Sequence, residues 1–339
     1  MRSRSPRDSQ HGLTRILRLL ARWSAIAAGI AVTALAAPVG ADPLAVAVAV
    51  KGNILATPAQ GGMAQKAALG RALERGDRVQ VGAGGSLTLF FNDGNVVELG
   101  EKSTMTVGGR VGAGPGGAAS KSGLPSEVFA HVSRFVASDS RKSGMMAVAP
   151  LRGDENKPAP MLLSPRRTNV RETRPSFRWR SVDGASRYQL TISGDQGDLW
   201  SRETQETSLD YPADAPPLAA GVDYGCTIRA LSDAAPLFDE SETFTVLPAA
   251  EASQVAQDLE GIEKATASAA TSAGMYVTAS YLVGRGLYGE AATRFEALCK
   301  VTPDAPGPHE ALGKVYRAIG LSEQAASEFQ RALELSRTQ

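Results

Sequence analysis

Three stretches with different hydrophobic periods follow one another along the chain. From residue 43 to 108 the period is two. Val46, Val48 and Val50 alternate, and Leu87, Leu89 and Phe91 share one face of Ser86–Phe91. Short apolar runs recur at 79–81, 95–99 and 103–107. They are separated by Lys51-Gly52, Arg75-Gly76-Asp77, Gly82 to Gly85 and Asn92-Asp93-Gly94-Asn95. Strands at this spacing, with Asp-Gly as a hairpin signal, predict an all-β module. A second period-two stretch covers 161–248. Phe177 and Trp179 alternate with Arg178 and Arg180. Tyr188, Leu190 and Ile192 form one face, as do Tyr224, Cys226, Ile228 and Ala230; Leu199-Trp200 and Thr243 to Leu247 open and close further strands. From 252 to 339 the period becomes helical, with Val255, Leu259 and Ile262 on one face and Gln254, Gln257, Asp258 and Glu260 on the other.

The tail also repeats itself. Gly286 and Gly320, Ala291 and Ala325, Ala292 and Ala326, and Phe295 and Phe329 are each 34 residues apart. That length fits one helical hairpin per repeat. Between the β modules, residues 109–160 read as a glycine-rich linker with one short helix at Val128, Val132, Phe135 and Val136. Seven glycines fall between 108 and 123. Gly112-Ala-Gly114-Pro-Gly116-Gly117 formally matches a dinucleotide fingerprint. It lacks the preceding buried strand and following helix that give the fingerprint its chemistry, and Pro115 sits inside it. The expectation is three small cores joined by flexible linkers.

The N-terminus changes the picture of location. Arg2, Arg4, Arg7, Arg15, Arg18 and Arg22 precede an uncharged, Ala-rich stretch from Trp23 to Ala41 that ends in Val39-Gly40-Ala41. This is the layout of a secretory signal peptide over 1–41, so the body is expected to be exported, with the periplasm as its compartment. An uncleaved anchor through 23–41 into the inner membrane is the alternative. The whole chain has 36 Lys+Arg against 35 Asp+Glu. Without residues 1–41, which hold six Arg and one Asp, 30 basic and 34 acidic groups remain. A mildly acidic body argues against nucleic-acid partners. Two Cys and three His make a disulfide scaffold or an all-protein zinc site a poor expectation.

Several of these patterns resemble known families. Leu73, Gly76-Asp77, Val79, Val81-Gly82, Gly85-Ser86, Leu89, Asp93-Gly94, Val96, Leu99-Gly100, Ser103 and Met105 together resemble the FecR-type domain, which implies a β-rich module of bacterial periplasms. The family's sigma-regulator role is not carried over, because only 22 residues precede the hydrophobic stretch. Pro175, Phe177, Trp179, Gly184-Ala185, Tyr188, Leu190 and Ile192 resemble fibronectin type III-like repeats, and Tyr224 looks like that family's corner tyrosine. Leu312-Gly313, Tyr316, Gly320, Ala325, Phe329 and Ala332 resemble the tetratricopeptide (TPR) repeat. The fold class expected is therefore multidomain α and β: a FecR-like module over 42–108, a fibronectin/Ig-like sandwich over 161–248, and an all-α TPR hairpin array over 252–339. The TPR resemblance implies a concave groove for partner peptides or helices, lined by Tyr276, Ser280, Val283, Glu310, Lys314 and Arg317. Lys314 and Arg317 are the groups expected to hold a partner carboxylate.

No catalytic constellation accompanies these modules. His309-Glu310 begins an H-E-x-x-H zinc motif, but Gly313 stands where the second imidazole belongs, so His309 reads as helix surface. Cys226 lies on an apolar strand face, a poor setting for a thiolate. The expectation is a non-enzymatic envelope scaffold or signalling adaptor, with envelope proteins or peptides as partners and neither cofactor, catalytic residue nor metal. The alternatives are a membrane-anchored FecR-type accessory and a cell-wall polysaccharide binder using Trp179 or Trp200.

Overall fold

The computed structural model describes residues 43–108, 118–120, 124–140 and 161–338. The expected signal segment and most of the expected linker lie outside the described residues. Among the described residues no helix is long and apolar enough to cross a membrane.

The first module is two facing sheets. One has the order β4 (Ala72–Leu73), β1 (Ala45–Lys51), β6 (Ser86–Phe91), β7 (Val96–Leu99) and β9 (Ala118–Ser120). The other has the order β3 (Gln65–Lys66), β2 (Ile54–Thr57), β5 (Arg78–Val81) and β8 (Thr104–Thr106). Ala45, Ala47, Leu87, Leu89 and Phe91 meet Ile54, Val79, Val81 and Met105 between them. Strand β1 is buried on both faces, which explains its unbroken Ala-Val run. Ala45 and Ala47 face the inter-sheet core, while Val46, Val48 and, past a register shift, Ala49 join a second core on the other side. At the β6–β7 hairpin only Gly94 takes positive φ, at 80°. Asp93 instead accepts the Asn95 backbone N–H at 3.0 Å, and Phe90 pairs with Val96 around a longer loop. The Asp-Gly pair therefore turns the chain without a two-residue hairpin.

The second module has the sheets β10 (Leu162–Ser164), β12 (Ser176–Trp179), β15 (Ser208–Asp210) and β11 (Thr168–Val170), β17 (Pro236–Val246), β16 (Asp223–Leu231), β13 (Arg187–Gly194), β14 (Gly197–Thr204). Strand β11 runs parallel to β17, and the other pairs are antiparallel. This is a fibronectin type III-like sandwich. Phe177, Trp179, Leu190, Ile192, Cys226, Ile228 and Phe244 fill it. Tyr224, expected as the corner tyrosine, accepts the Ala219 N–H at 2.7 Å and donates to the Ala219 carbonyl at 3.4 Å. Tyr224→Phe leaves the ring in place and strips the hydroxyl, so chemical unfolding should show a loss of about 1 kcal/mol with an unchanged m-value.

Among the described residues, six helices complete the fold: α1 (Ser126–Ser140), α2 (Ala249–Thr266), α3 (Thr271–Gly284), α4 (Tyr288–Val301), α5 (Pro306–Ala318) and α6 (Ser322–Thr338). The 34-residue period is realised as two hairpins, α3–α4 and α5–α6. Gly286 and Gly320 end their first helices at φ 74° and 80°. A Cβ on Gly313 would come within 2.8 Å of the Phe329 ring, so glycine there sets how closely α5 and α6 approach. Helix α2 covers α3, as its apolar face suggests. Its expected outer face is not all outward, however. Asp258 is buried and accepts the Tyr281 hydroxyl at 2.5 Å and the Gln254 amide at 2.9 Å.

The expectation of three separate cores is corrected for the first module and the helices, which share one, while the sandwich keeps its own. The described residues form one compact unit. A single apolar cluster runs from Val46, Val48, Phe90 and Val96 of the first sheet through Val128, Phe129, Val132, Phe135 and Val136 of α1 to Tyr276, Leu282, Phe295 and Leu312 of the hairpins. The expected linker is in part load-carrying structure: β9 pairs with β7, and α1 is a core helix.

Candidate functional site

The six residues expected to line a groove lie on α3 and α5, the first helices of the two hairpins. Helix α1 of the same chain lies against α3 beside them. Tyr276 and Ser280 are fully covered, and Val283 is half-buried against the shared cluster. Tyr276 packs edge-on to Phe295 at 5.9 Å, and Phe135 of α1 packs on the same Phe295 ring at 5.7 Å. A Cβ on Gly70 would meet the Tyr276 hydroxyl at 2.4 Å, so the first module also closes on this residue. Burial pushes the Tyr276 phenol up, which keeps it protonated and neutral.

The charged half of the groove is also engaged. Lys314 pairs with Glu310 at 3.1 Å, and its ammonium lies 5.7 Å from the Phe135 ring centroid. Loss of hydration lowers the Lys314 amine to about 8, with help from neighbouring Arg317, and raises the Glu310 carboxyl although half of that side chain is exposed. Arg317 stacks over Phe329 at 5.4 Å. The structure therefore places the six residues on the first helices of the two hairpins and seats α1 of the same chain on α3, with Phe135 reaching Lys314. Tyr276 and Ser280 offer nothing to an outside partner while α1 is in place.

Helix α1 approaches α3 closely at Gly284, where a Cβ would fall 2.6 Å from the His131 Cβ. The His131 imidazole rests edge-on against Tyr281 at 5.5 Å. Burial first, then Arg134 and Arg285, lowers its pKa, against a Gly284 backbone hydrogen bond and Glu127 that act the other way. A histidine whose folded pKa lies below its unfolded value adds nothing unfavourable above about 6.5. Below that value the unfolded chain takes up the proton first, and stability falls until the folded pKa is passed. Acidification from pH 7.5 should thus lower the melting temperature, and His131→Gln should flatten that part of the profile. An unchanged slope in the variant would remove His131 as the cause.

The second module docks on the hairpins through one short segment. Asn169 donates from its backbone to the Gly286 carbonyl at 2.9 Å and from its side chain to the Arg285 carbonyl at 3.0 Å. Arg166 donates to the Ile319 carbonyl at 2.7 Å, one residue before Gly320. Residues 166–169 therefore touch both glycine turns of the 34-residue repeat. Arg171 adds a two-pronged pair with Glu290, at 2.9 and 2.7 Å. Beside the first module, a cleft of about 800 Å³ is bordered by Ala49 to Gly52, Lys66 to Leu69 and Val301 to Gly307.

Cys226 is fully buried, and burial, with Glu240 adding to it, pushes its thiol up, which favours the protonated form. Trp179 is 3% exposed and unavailable as a sugar platform; Trp200 is half-buried beside Tyr211 at 5.3 Å. His309 is not plain helix surface. Its side chain is 13% exposed and meets the Glu328 carboxylate at 2.7 Å, and Cys299 stands beside both. Reading along one helix missed this cluster, because its members come from α4, α5 and α6.

No family model and no curated protein matches the chain. Among solved structures, the fn3 domain of human collagen alpha-1(XX) chain is 13% identical, with 28% of this chain and 93% of that chain covered at a TM-score of 0.22. CopC from Methylosinus trichosporium OB3b is 21% identical, covering 26% and 94% at 0.20. FN3tt is 16% identical, covering 26% and 98% at 0.20.

Proposed function

We propose that this chain is a non-enzymatic, exported bacterial envelope protein that serves as a protein–protein interaction scaffold or signalling adaptor, with a FecR-like first module and TPR-type hairpins. The observation that supports this reading is the pair of first helices, α3 and α5, which carry the six expected groove residues, with the amphipathic helix α1 packed on α3. That is the helix-in-groove mode of recognition, used here within one chain. The modules are fixed to one another by the shared core and by residues 166–171, so a partner meets a composite surface. Arg317 is exposed in the last turn of α5, and Val301 is exposed at the end of α4.

Deleting residues 252–339 is not a clean test, because it would uncover the apolar faces of α1 and β1. A photo-crosslinking residue placed at Arg317, and separately at Asp198 on the exposed β14, makes the comparison in the native envelope. One dominant envelope protein captured from position 317 and absent from position 198 is the expected result. Equal capture from both positions, or none from 317, contradicts the scaffold role of the helical face.

A further inference from the structure

We propose that Cys299, His309 and Glu328 form a binding site for one divalent transition-metal ion of the zinc type, a site independent of the scaffold reading. One ligand atom from each residue lies within 4.8 Å of the others. They converge from three helices: Cys299 from α4, His309 from α5 and Glu328 from α6. A tetrahedral zinc with bonds of about 2.0–2.3 Å places its donors roughly 3.3–3.6 Å apart. The His309–Glu328 contact at 2.7 Å must open slightly, and the thiol must close in, which are movements within side-chain reach.

The donor set is selective by chemistry. Thiolate, imidazole and carboxylate together suit a borderline-soft cation and disfavour magnesium or calcium, which take oxygen donors. The three residues line a cavity of about 340 Å³, so an ion has a way in and a place for water. Glu296 lines the same cavity from α4, three residues before Cys299, and accepts the Tyr316 hydroxyl at 2.8 Å. It stands where it can complete the coordination or hold the metal-bound water. The exposed Lys300 and Arg331 border the cavity, and Glu296 with Glu328 offsets their charge. Binding releases the Cys299 thiol proton to solvent and forms the metal–sulfur bond; no oxidant or reductant takes part.

The test uses the chain as it is made, without an affinity tag, titrated with Co²⁺ as a spectroscopic stand-in and then with Zn²⁺. One equivalent of Co²⁺ should give an intense near-ultraviolet thiolate-to-cobalt band, which Zn²⁺ then removes. Cys226 is buried in the sandwich, so the band reports Cys299 alone. Cys299→Ser should abolish the band, and His309→Gln and Glu328→Gln should each weaken binding at least tenfold. In the unsubstituted protein, Zn²⁺ should slow iodoacetamide labelling of Cys299 at least tenfold, a readout that needs no variant to fold. Absence of the thiolate band at one equivalent, or Zn²⁺ leaving the labelling rate unchanged, overturns the site and leaves His309–Glu328 as an ion pair only.

Discussion

Arg166→Met should destabilise the protein by about 3–5 kcal/mol, the cost of removing one partner from a buried ionic cluster. Arg166 is 4% exposed and meets Glu240 and Glu242, each at 2.6 Å. Glu240 is held in place from the other side, because it also accepts the Met161 and Leu162 backbone N–H groups at 2.6 and 2.8 Å. Methionine fills much of the arginine's volume but leaves two neighbouring carboxylates with only the half-exposed Arg167 to offset them. It also frees the Ile319 carbonyl at the second glycine turn. Urea unfolding followed by tryptophan fluorescence should report the loss in the sandwich, where Trp179 and Trp200 sit, and far-ultraviolet circular dichroism should report it in the helices. Adding Glu240→Gln and Glu242→Gln should recover most of the loss, since the cost is uncompensated charge and not shape. A triple variant as unstable as Arg166→Met would assign the effect to packing.

Phe295→Ala should cost about 3–5 kcal/mol as well, by a different mechanism. The ring is fully buried and touches both Phe135 of α1 and Tyr276 of α3. Truncation leaves a cavity at the junction of α1, α3 and α4. Because the apolar cluster continues to Val46 and Phe90, the damage should not stay in the hairpins. Calorimetry should show one transition shifted downward. A lowered helical transition beside an unchanged β transition would mean that the modules unfold independently.

Much of the fold is legible in the chain because its longer elements repeat apolar residues at the period of a strand or a helix. Alternation in Ser86–Phe91 and at Tyr188, Leu190 and Ile192 is enough to place β6 and β13. The 34-residue identities place both hairpins. Strands β3, β4, β9, β10, β11 and β15 span only two or three residues, too few to show a period, and they are fixed by their neighbours' open edges. Helix α1 carried a signal that a linker reading underuses. Five large apolar residues, Val128, Phe129, Val132, Phe135 and Val136, on one short helix demand a cover. What covers them cannot be found by local pattern, because Phe295 is 160 positions from Phe135 along the chain. The same holds for the Arg166 cluster, whose partners lie 74 and 153 positions away. It holds again for Cys299, His309 and Glu328, where the incomplete H-E-x-x-H pattern pointed along α5 while the other donors came from α4 and α6.

Helix α1 is seated on α3 as part of one folded body. Hydrogen exchange read by mass spectrometry, on peptides covering 126–136 and 271–284 of the intact protein, tests it directly. Both segments should be protected and open together, with matching opening free energies that fall in parallel in Phe295→Ala. Exchange of 126–136 at the rate of an unfolded peptide, beside a protected 271–284, would contradict it.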